Sequence, residues 1–215
     1  PPERVLADQY MMFLELGDEI LRMIKIYATR KKEANQVDFD DLLVLWRELV
    51  RRHPPVRDEM HRQFQHILVD EYQDTNILQA EIVDEIAGPD GNLMVVGDDA
   101  QSIYSFRGAN FGNIIDFQKR HPKAKVFKLE TNYRSTPEIL SLANSSIRHN
   151  VRQFPKVLTA VRKGGPLPER VTCGDVREQA DFTAQRVQEL QDEGYALRDV
   201  AVLYRAHWHS MEPQI

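Results

Sequence analysis

Asp70 and Glu71 stand side by side in the stretch DEYQDTN, directly after the short apolar run His66-Ile67-Leu68-Val69. A carboxylate at the end of a buried strand is expensive without a partner, so the pair asks for a compensating group such as a cation. Two more polar clusters follow short apolar runs: Gly97-Asp98-Asp99-Ala100-Gln101 after Leu93–Val96, and Asn132-Tyr133-Arg134 after Val126–Leu129. In open α/β sheets the ligand crevice lies outside the carboxyl ends of the strands. One crevice that receives a carboxylate pair, a glutamine and an arginine has the parts for a nucleoside triphosphate with Mg2+. Asp70 would serve the metal, Glu71 would orient or deprotonate a water, and Arg134 would neutralise phosphate charge. Any one cluster alone is more often a helix cap or a solvated loop; the three together point to the nucleotide site.

Such a site needs parallel strands alternating with helices, and the sequence predicts them from Ile67 onward. Short β-rich runs at Ile67–Val69, Leu93–Val96, Val126–Leu129 and Val200–Tyr204 are separated by helical stretches, the pattern of a parallel α/β sheet. Leu78, Ile82 and Ile86 form a helical stripe closed by Gly88-Pro89-Asp90-Gly91, which makes the first two runs a βαβ unit. Behind Tyr133-Arg134, Pro137 suits the first helical position with Thr136 as its cap, and Ser135 to Glu138 offers a competing capping box. Gly164-Gly165-Pro166-Leu167-Pro168 reads as a linker, followed by a strand near Val171 and a helix with Ala180, Ala184, Val187 and Leu190 on one face. Ahead of all this, residues 4–62 are helical in pattern. One stripe holds Leu16, Ile20, Met23, Ile24 and Tyr27; a second segment holds Phe39, Leu42, Leu43, Leu45, Trp46 and Leu49, with Pro54-Pro55 as breaker.

The 215 residues suffice for one or two domains. With 33 acidic and 28 basic residues the net charge is -5, so any nucleic-acid contact has to come from a local patch. The single cysteine, Cys173, cannot form an internal disulfide, which suits a reducing compartment, and it reads as a packing residue. No apolar stretch is long enough for a membrane span and the start lacks a signal region, so a cytoplasmic protein with no membrane partner is expected. The chain opens on Pro1 and closes on Met211-Glu212-Pro213-Gln214-Ile215 within a pattern, as an excised piece would.

DEYQDTN, then VVGDDAQSIYSFRGAN, then LETNYRST resemble motifs II, III and IV of the UvrD/PcrA/Rep family of superfamily 1A DNA helicases, in the family's order. VDFDDLL at 37–43 resembles the segment just ahead of motif II, and VAVLYR at 200–205 resembles an early strand of the second motor domain. The resemblance implies a RecA-like P-loop NTPase motor with an N-terminal helical segment. Residues 1–37 would be the end of helical domain 1B, 38–163 the core of motor domain 1A, and 164–215 the linker and beginning of motor domain 2A. It implies ATP and Mg2+ as ligands, with Asp70 in the metal shell, Glu71 as the base for the attacking water, Gln101 as γ-phosphate sensor, Arg134 as a finger on the γ-phosphate and Tyr133 stacked on adenine. Phe106 and Arg107, with Tyr104 nearby, would meet single-stranded DNA. Phe106 stands where relatives often carry Trp, a tolerable change for base stacking. The implied activity is 3′ to 5′ movement on single-stranded DNA and unwinding at single/double-strand junctions. ATP would close a cleft between motor domains and its hydrolysis would reopen it, in DNA repair or replication near a bacterial nucleoid.

Departures from the pattern matter too. No Gly-x-x-x-x-Gly-Lys-Ser/Thr occurs in the sequence, so the phosphate-cradling loop is absent and the chain alone is expected to be inactive. After Tyr204-Arg205 the chain reads Ala206-His207-Trp208-His209-Ser210-Met211 in place of the family's usual Thr-Asn-Ala-Gln-Ser-Arg. A helicase-derived DNA-binding or scaffold module without ATPase activity is the alternative. A nuclease using Asp70, Glu71 and Asp98 is a third reading, which would leave Gln101 and Arg134 without a role. Taken alone, Tyr104 and Phe106 alternate as core positions do, the runs Arg30-Lys31-Lys32 and Arg51-Arg52-His53 read as solvated helix faces with a weak claim on DNA, and His207 with His209 lacks a third metal ligand.

Overall fold

The computed structural model of the chain describes residues 2–89 and 91–210, with the side chain of Ser210 outside the description. It divides into two compact units, one of Pro1–Leu129 with Ile147–Val157, the other of Glu130–Ser146 with Leu158–Ile215.

The first unit begins with helices, as the sequence pattern predicts: α1 (Pro2–Gln9), α2 (Gly17–Glu33), α3 (Phe39–Arg52) and α4 (Pro54–Gln63). Asp18 and Glu19 lie in the first turn of α2 and Arg30, Lys31 and Lys32 in its last, matching the helix dipole at both ends. The apolar stripe of α2 is present but uncovered, with Leu16, Met23, Ile24 and Tyr27 all exposed. VDFDDLL turns out to be the start of α3. Asp38 accepts the Asp41 N–H at 2.8 Å while Asp41 accepts the Asp38 N–H at 3.1 Å, a reciprocal cap. Lys31 Nζ reaches Asp38 at 2.6 Å and the Tyr27 hydroxyl donates to the same carboxylate at 3.0 Å.

The face that α3 buries is not the one the apolar residues suggest. Phe39, Leu42, Leu45, Trp46 and Leu49 are exposed, whereas Val50 is fully buried and clusters with Ile82 and Ile86, supported by Leu43, Met60, Ile67 and Leu78. Ion pairs flank that apolar contact. Arg47 meets Glu81 at 2.9 Å and Arg51 meets Glu85 at 3.0 Å, so the Leu43, Arg47, Val50 and Arg51 side of α3 faces α5 (Ile77–Ala87).

The strands β1 (His66–Val69) and β2 (Asn92–Val95) pair in parallel, joined through α5 as the βαβ reading predicts. Asn76 caps α5 by accepting the Gln79 N–H at 2.8 Å. At the other end Gly88 adopts φ 67°, a left-handed position that favours glycine, and Asp90 of the expected turn lies outside the described residues. Ile67, Val69, Leu93 and Val95 point to the helices, while Leu68 and Met94 face out at 71% and 55% exposure. The short helices α6 (Gly112–Ile115) and α7 (Phe117–Arg120) complete the core beneath Tyr72, Ala80, Ile114 and Phe117.

The second unit holds β3 (Thr131–Asn132), α8 (Pro137–Ile147), β4 (Thr159–Ala160) and α9 (Val176–Asp192), with β3 and β4 parallel. Pro137 opens α8 and the Leu140 N–H bonds to the Thr136 carbonyl at 3.1 Å. Glu138 turns away from Ser135 and accepts the Gly165 N–H at 2.9 Å.

The fold is therefore α/β with parallel strands, but the sheets are smaller than the sequence predicts, each of two strands among the described residues. Val126–Leu129, Val171 and Val200–Tyr204 form no ladder. Phe127, Leu129 and Leu203 are more than 80% exposed. Such apolar runs become parallel strands only when partners and covering helices lie on both sides, and no described residue supplies them.

Asp38 gives a testable consequence. The Lys31 ammonium and the Asp41 N–H hold its carboxyl down to about 2, against an ordinary 3.8. A folded-state pKa below the unfolded one contributes stability that is present above about pH 4 and fades as the pH falls toward 2. Acid titration followed by far-UV circular dichroism should show a flatter acid limb in that window for Asp38→Asn; an unchanged limb would mean the cap carries no pH-linked stability.

Candidate active site and aromatic loop

The carboxyl ends of β1 and β2 are tied together by one buried glutamine. Past the strands the ladder continues, with Val96 N–H to Val69 O at 2.8 Å and Tyr72 N–H to Val96 O at 2.9 Å. Between those bonds the chain must turn, and Glu71 does so with φ 50° and ψ 41°, a left-handed conformation unusual for a residue other than glycine. Such a conformation costs about 1 kcal/mol or more and persists where its surroundings hold it. Here Gln73 holds it. Gln73 is 1% exposed, donates from Nε2 to the Glu71 carboxylate at 2.6 Å, and accepts the Asp98 N–H on Oε1 at 3.0 Å. Gly97 makes this approach possible, since a Cβ there would collide with Gln73 Oε1 and Ile114.

From Asp98 the network reaches Gln101, whose Nε2 donates to Asp98 Oδ2 at 2.9 Å. Asp98 also accepts the Ala100 N–H at 3.0 Å and pairs with Lys156. Burial pushes the Asp98 carboxyl upward, but the bonds from Lys156, Gln101 and the Ala100 N–H outweigh it and hold it below the ordinary value. Asp70 is exposed beside this network, one oxygen taking the Glu71 N–H at 2.9 Å. Its hard oxygen donors and access to solvent fit Mg2+, which typically takes one or two carboxylates together with substrate phosphates. Among the described residues no three His, Cys, Asp or Glu side chains converge as a metal-binding group, so Asp70, Glu71 and Asp98 do not build the nuclease-type cluster.

Tyr104, Phe106 and Arg107 form their own group on a 3-10 turn at Ser105–Arg107. Phe106 is 75% exposed, which excludes the core placement that its alternation with Tyr104 suggested. The two rings lie 6.0 Å apart and the Arg107 guanidinium sits 5.4 Å from both centroids, a cation–π arrangement on an open surface. The loop is anchored to DEYQDTN itself. Buried Asn113 donates to the carbonyls of Thr75 and Asn76 at 2.9 and 3.0 Å, and the Asn110 N–H bonds to Thr75 O at 2.9 Å. Arg120 closes the back of the site, bonding the Tyr72 hydroxyl at 2.9 Å and Asp84 at 3.3 Å.

Tyr133 and Arg134 belong to the second unit. Asn132 accepts the N–H groups of Arg134 and Ser135 at 2.9 and 2.7 Å, which sets the turn that displays both side chains, and Arg162 donates to the Arg134 carbonyl at 2.8 Å. Both side chains are exposed. Of the charge runs, Lys31 is taken by Asp38 and Asp41, Arg51 by Glu85 and Arg52 by Glu48. His209 accepts the Ala206 N–H and its ring lies 3.7 Å from that of Trp208, a local turn.

Thus the structure joins Glu71 to Gln101 through Gln73 and Asp98, with Asp70 alongside, and groups Tyr104, Phe106 and Arg107 separately. Gln73, Lys156 and Asn113 were not singled out by sequence reasoning. For Gln73 a signal existed, a polar residue within a run that otherwise turns at a strand end; for Lys156, far along the chain, there was none.

Parallel strands joined through a helix, with acidic and amide side chains collected at their carboxyl ends, define an α/β protein. Comparison with known proteins narrows the class. Residues 14–122 match the UvrD/REP helicase N-terminal domain and residues 127–212 the UvrD-like helicase C-terminal domain. The chain is 39% identical over 194 residues to the ATP-dependent DNA helicase PcrA of Leuconostoc citreum, covering 90% of this chain and 26% of the relative. It is 41% identical over 193 residues to DNA helicase II of Haemophilus influenzae, covering 89% and 26%. The chain belongs to the UvrD/REP helicase family, and it spans about a quarter of the length of these relatives. Among the described residues no helix is long and apolar enough to cross a membrane.

The Asn113 anchor can be measured. Asn113→Ala removes the side-chain donor that the Thr75 and Asn76 carbonyls receive beside the backbone N–H groups of Asn110 and Ala80, and the expected loss is about 0.5–1.5 kcal/mol of unfolding free energy by urea titration. A shift too small to resolve would show that the loop is held by the backbone bond of Asn110 alone.

Proposed function

We propose that the chain is the central part of an ATP-dependent DNA helicase or translocase built on RecA-like motor domains. In this reading residues 1–37 end helical domain 1B, 38–163 form the core of motor domain 1A, and 164–215 are the linker and the beginning of motor domain 2A. What carries the reading is the run Glu71, Gln73, Asp98, Gln101 at the ends of β1 and β2, beside an exposed Asp70. A strained glutamate held by a buried glutamine is costly for a scaffold and useful for a base that must keep one position.

Asp70 would hold Mg2+, which when bound offsets the charge of the triphosphate. Glu71 orients the attacking water and takes its proton, Gln101 meets the γ-phosphate, and Arg134 neutralises charge developing there. Tyr133 stacks on adenine. Phe106 and Tyr104 stack on bases of single-stranded DNA, with Arg107 beside the backbone phosphates. Because Asn113 and Gln73 tie the aromatic loop and Gln101 to the same segment, a change at the γ-phosphate has a rigid route to the DNA-facing rings. The work done is 3′ to 5′ movement on single-stranded DNA and opening of single/double-strand junctions, in repair or replication in a bacterial cytoplasm. This sequence holds no phosphate-cradling loop, and in this reading the chain by itself does not turn over ATP.

In the full-length protein, Glu71→Gln should lower DNA-stimulated ATP hydrolysis by about 100-fold or more while nucleotide affinity changes little. Full ATPase activity in that variant would remove Glu71 from the role of base. Phe106→Ala should weaken single-stranded DNA binding by about 1–3 kcal/mol, read by fluorescence anisotropy with a labelled oligonucleotide; unaltered binding would remove the ring from the DNA path.

A further inference from the structure

A primary carboxamide is useful at a reacting phosphate only if the protein fixes which end faces the substrate, because one end donates and the other accepts. Gln101 is exposed and would otherwise be free to flip. Its Nε2 is held by Asp98 at 2.9 Å. An ionised carboxylate can only accept hydrogen bonds, so this contact assigns the nitrogen to the Asp98 side. The second N–H and Oε1 are then left for a ligand. A protonated or neutral residue at position 98 could donate as well, and the orientation of Gln101 would no longer be fixed.

Asp98 is kept charged and in place by Lys156. Lys156 lies 58 residues away in sequence, yet it belongs to the same compact unit and its side chain is only 18% exposed. It bonds Asp98 and meets Asp99 at 3.3 Å. Asp99, 7% exposed, also accepts the Phe154 N–H at 3.0 Å, and Phe154 packs on the core around Tyr72, so the backbone two residues before Lys156 is itself anchored. Burial alone would lower the Lys156 pKa, but its bond to Asp98 and the two negative charges raise it, so the ammonium stays charged at neutral pH.

We propose that Lys156 is a positioning residue for nucleotide turnover: by pairing with Asp98 it holds that carboxylate in the form and place that fix the orientation of the Gln101 carboxamide. The proposal rests on the reading of Gln101 as the group that meets the γ-phosphate. In this proposal Lys156 acts through Asp98 rather than by a contact of its own with the nucleotide.

The test is steady-state DNA-stimulated ATP hydrolysis by the full-length protein. Lys156→Met should lower kcat about 10-fold, the scale for residues that orient a group contacting the substrate, while KM for ATP changes little. Lys156→Arg should restore most of kcat, because a guanidinium keeps the charge. Asp98→Asn, which leaves Lys156 in place, should show a similar kcat loss because its amide can donate to Gln101, and the Lys156→Met, Asp98→Asn double variant should be little worse than either single one. Unchanged kcat in Lys156→Met overturns the proposal. So does a parallel fall in thermal midpoint, KM and kcat that Lys156→Arg does not rescue, which marks a structural lysine only. Gln101→Ala assayed alongside separates the two levels: if it loses DNA-stimulated hydrolysis while Lys156→Met is normal, only this inference fails, and if it keeps full kcat the reading of Gln101 fails first.

Discussion

Gln73 is the side chain on which the arrangement turns. Its carboxamide is buried between the ends of two parallel strands and is satisfied at both ends, by the Glu71 carboxylate and the Asp98 N–H. A buried amide left half-paired would cost the desolvation of the free end. The two strand ends are thereby held at a fixed separation, and Glu71 is kept in a backbone conformation it would not choose alone. Gly97 has to be a glycine for this to fit, because the space a Cβ would need is filled by Gln73 and Ile114.

Around that contact the polar groups extend outward in connected steps. Asp98 passes the constraint to Gln101 and Lys156; Thr75 and Asn76 pass it through Asn113 to the loop that displays Tyr104, Phe106 and Arg107. Networks of this kind are rigid when every member is satisfied, since any rearrangement leaves buried donors or acceptors unpaired. Beneath them Arg120 joins Tyr72, Asp84 and the Asn113 carbonyl, so the polar layer is supported from the core side as well. The helices before β1 contribute differently: α3 docks on α5 through Val50 and two ion pairs and fixes the outer face of the βαβ unit.

Much of this was legible in local pattern. The βαβ unit, the turn signal near Gly88 and the helix opening at Pro137 follow from hydrophobic period and from residues with strong local preferences. The buried face of α3 was not legible, because Phe39, Leu42, Leu45, Trp46 and Leu49 are more apolar than the Leu43, Arg47, Val50 and Arg51 side that docks. Burial there depends on where Ile82, Ile86, Glu81 and Glu85 stand on α5, a fact about another element. The runs at Val126–Leu129 and Val200–Tyr204 carry strand composition without strand pairing, since a ladder depends on a neighbour and not on the run itself.

The sequence by itself determined which residue types collect at the strand ends, their order along the chain, and a resemblance strong enough to place the chain in its family. Those are properties of short segments, where spacing and side-chain chemistry suffice. Only the tertiary structure decided that Glu71 is left-handed, that Gln73 is buried and bridges two strands, that Phe106 is open to solvent, and that Lys156 reaches Asp98 across 58 residues. The bridges from Gln73 and Lys156 to Asp98 depend on distant segments occupying the same few ångströms, and pairing of that kind is set by packing of the whole unit rather than by any local preference.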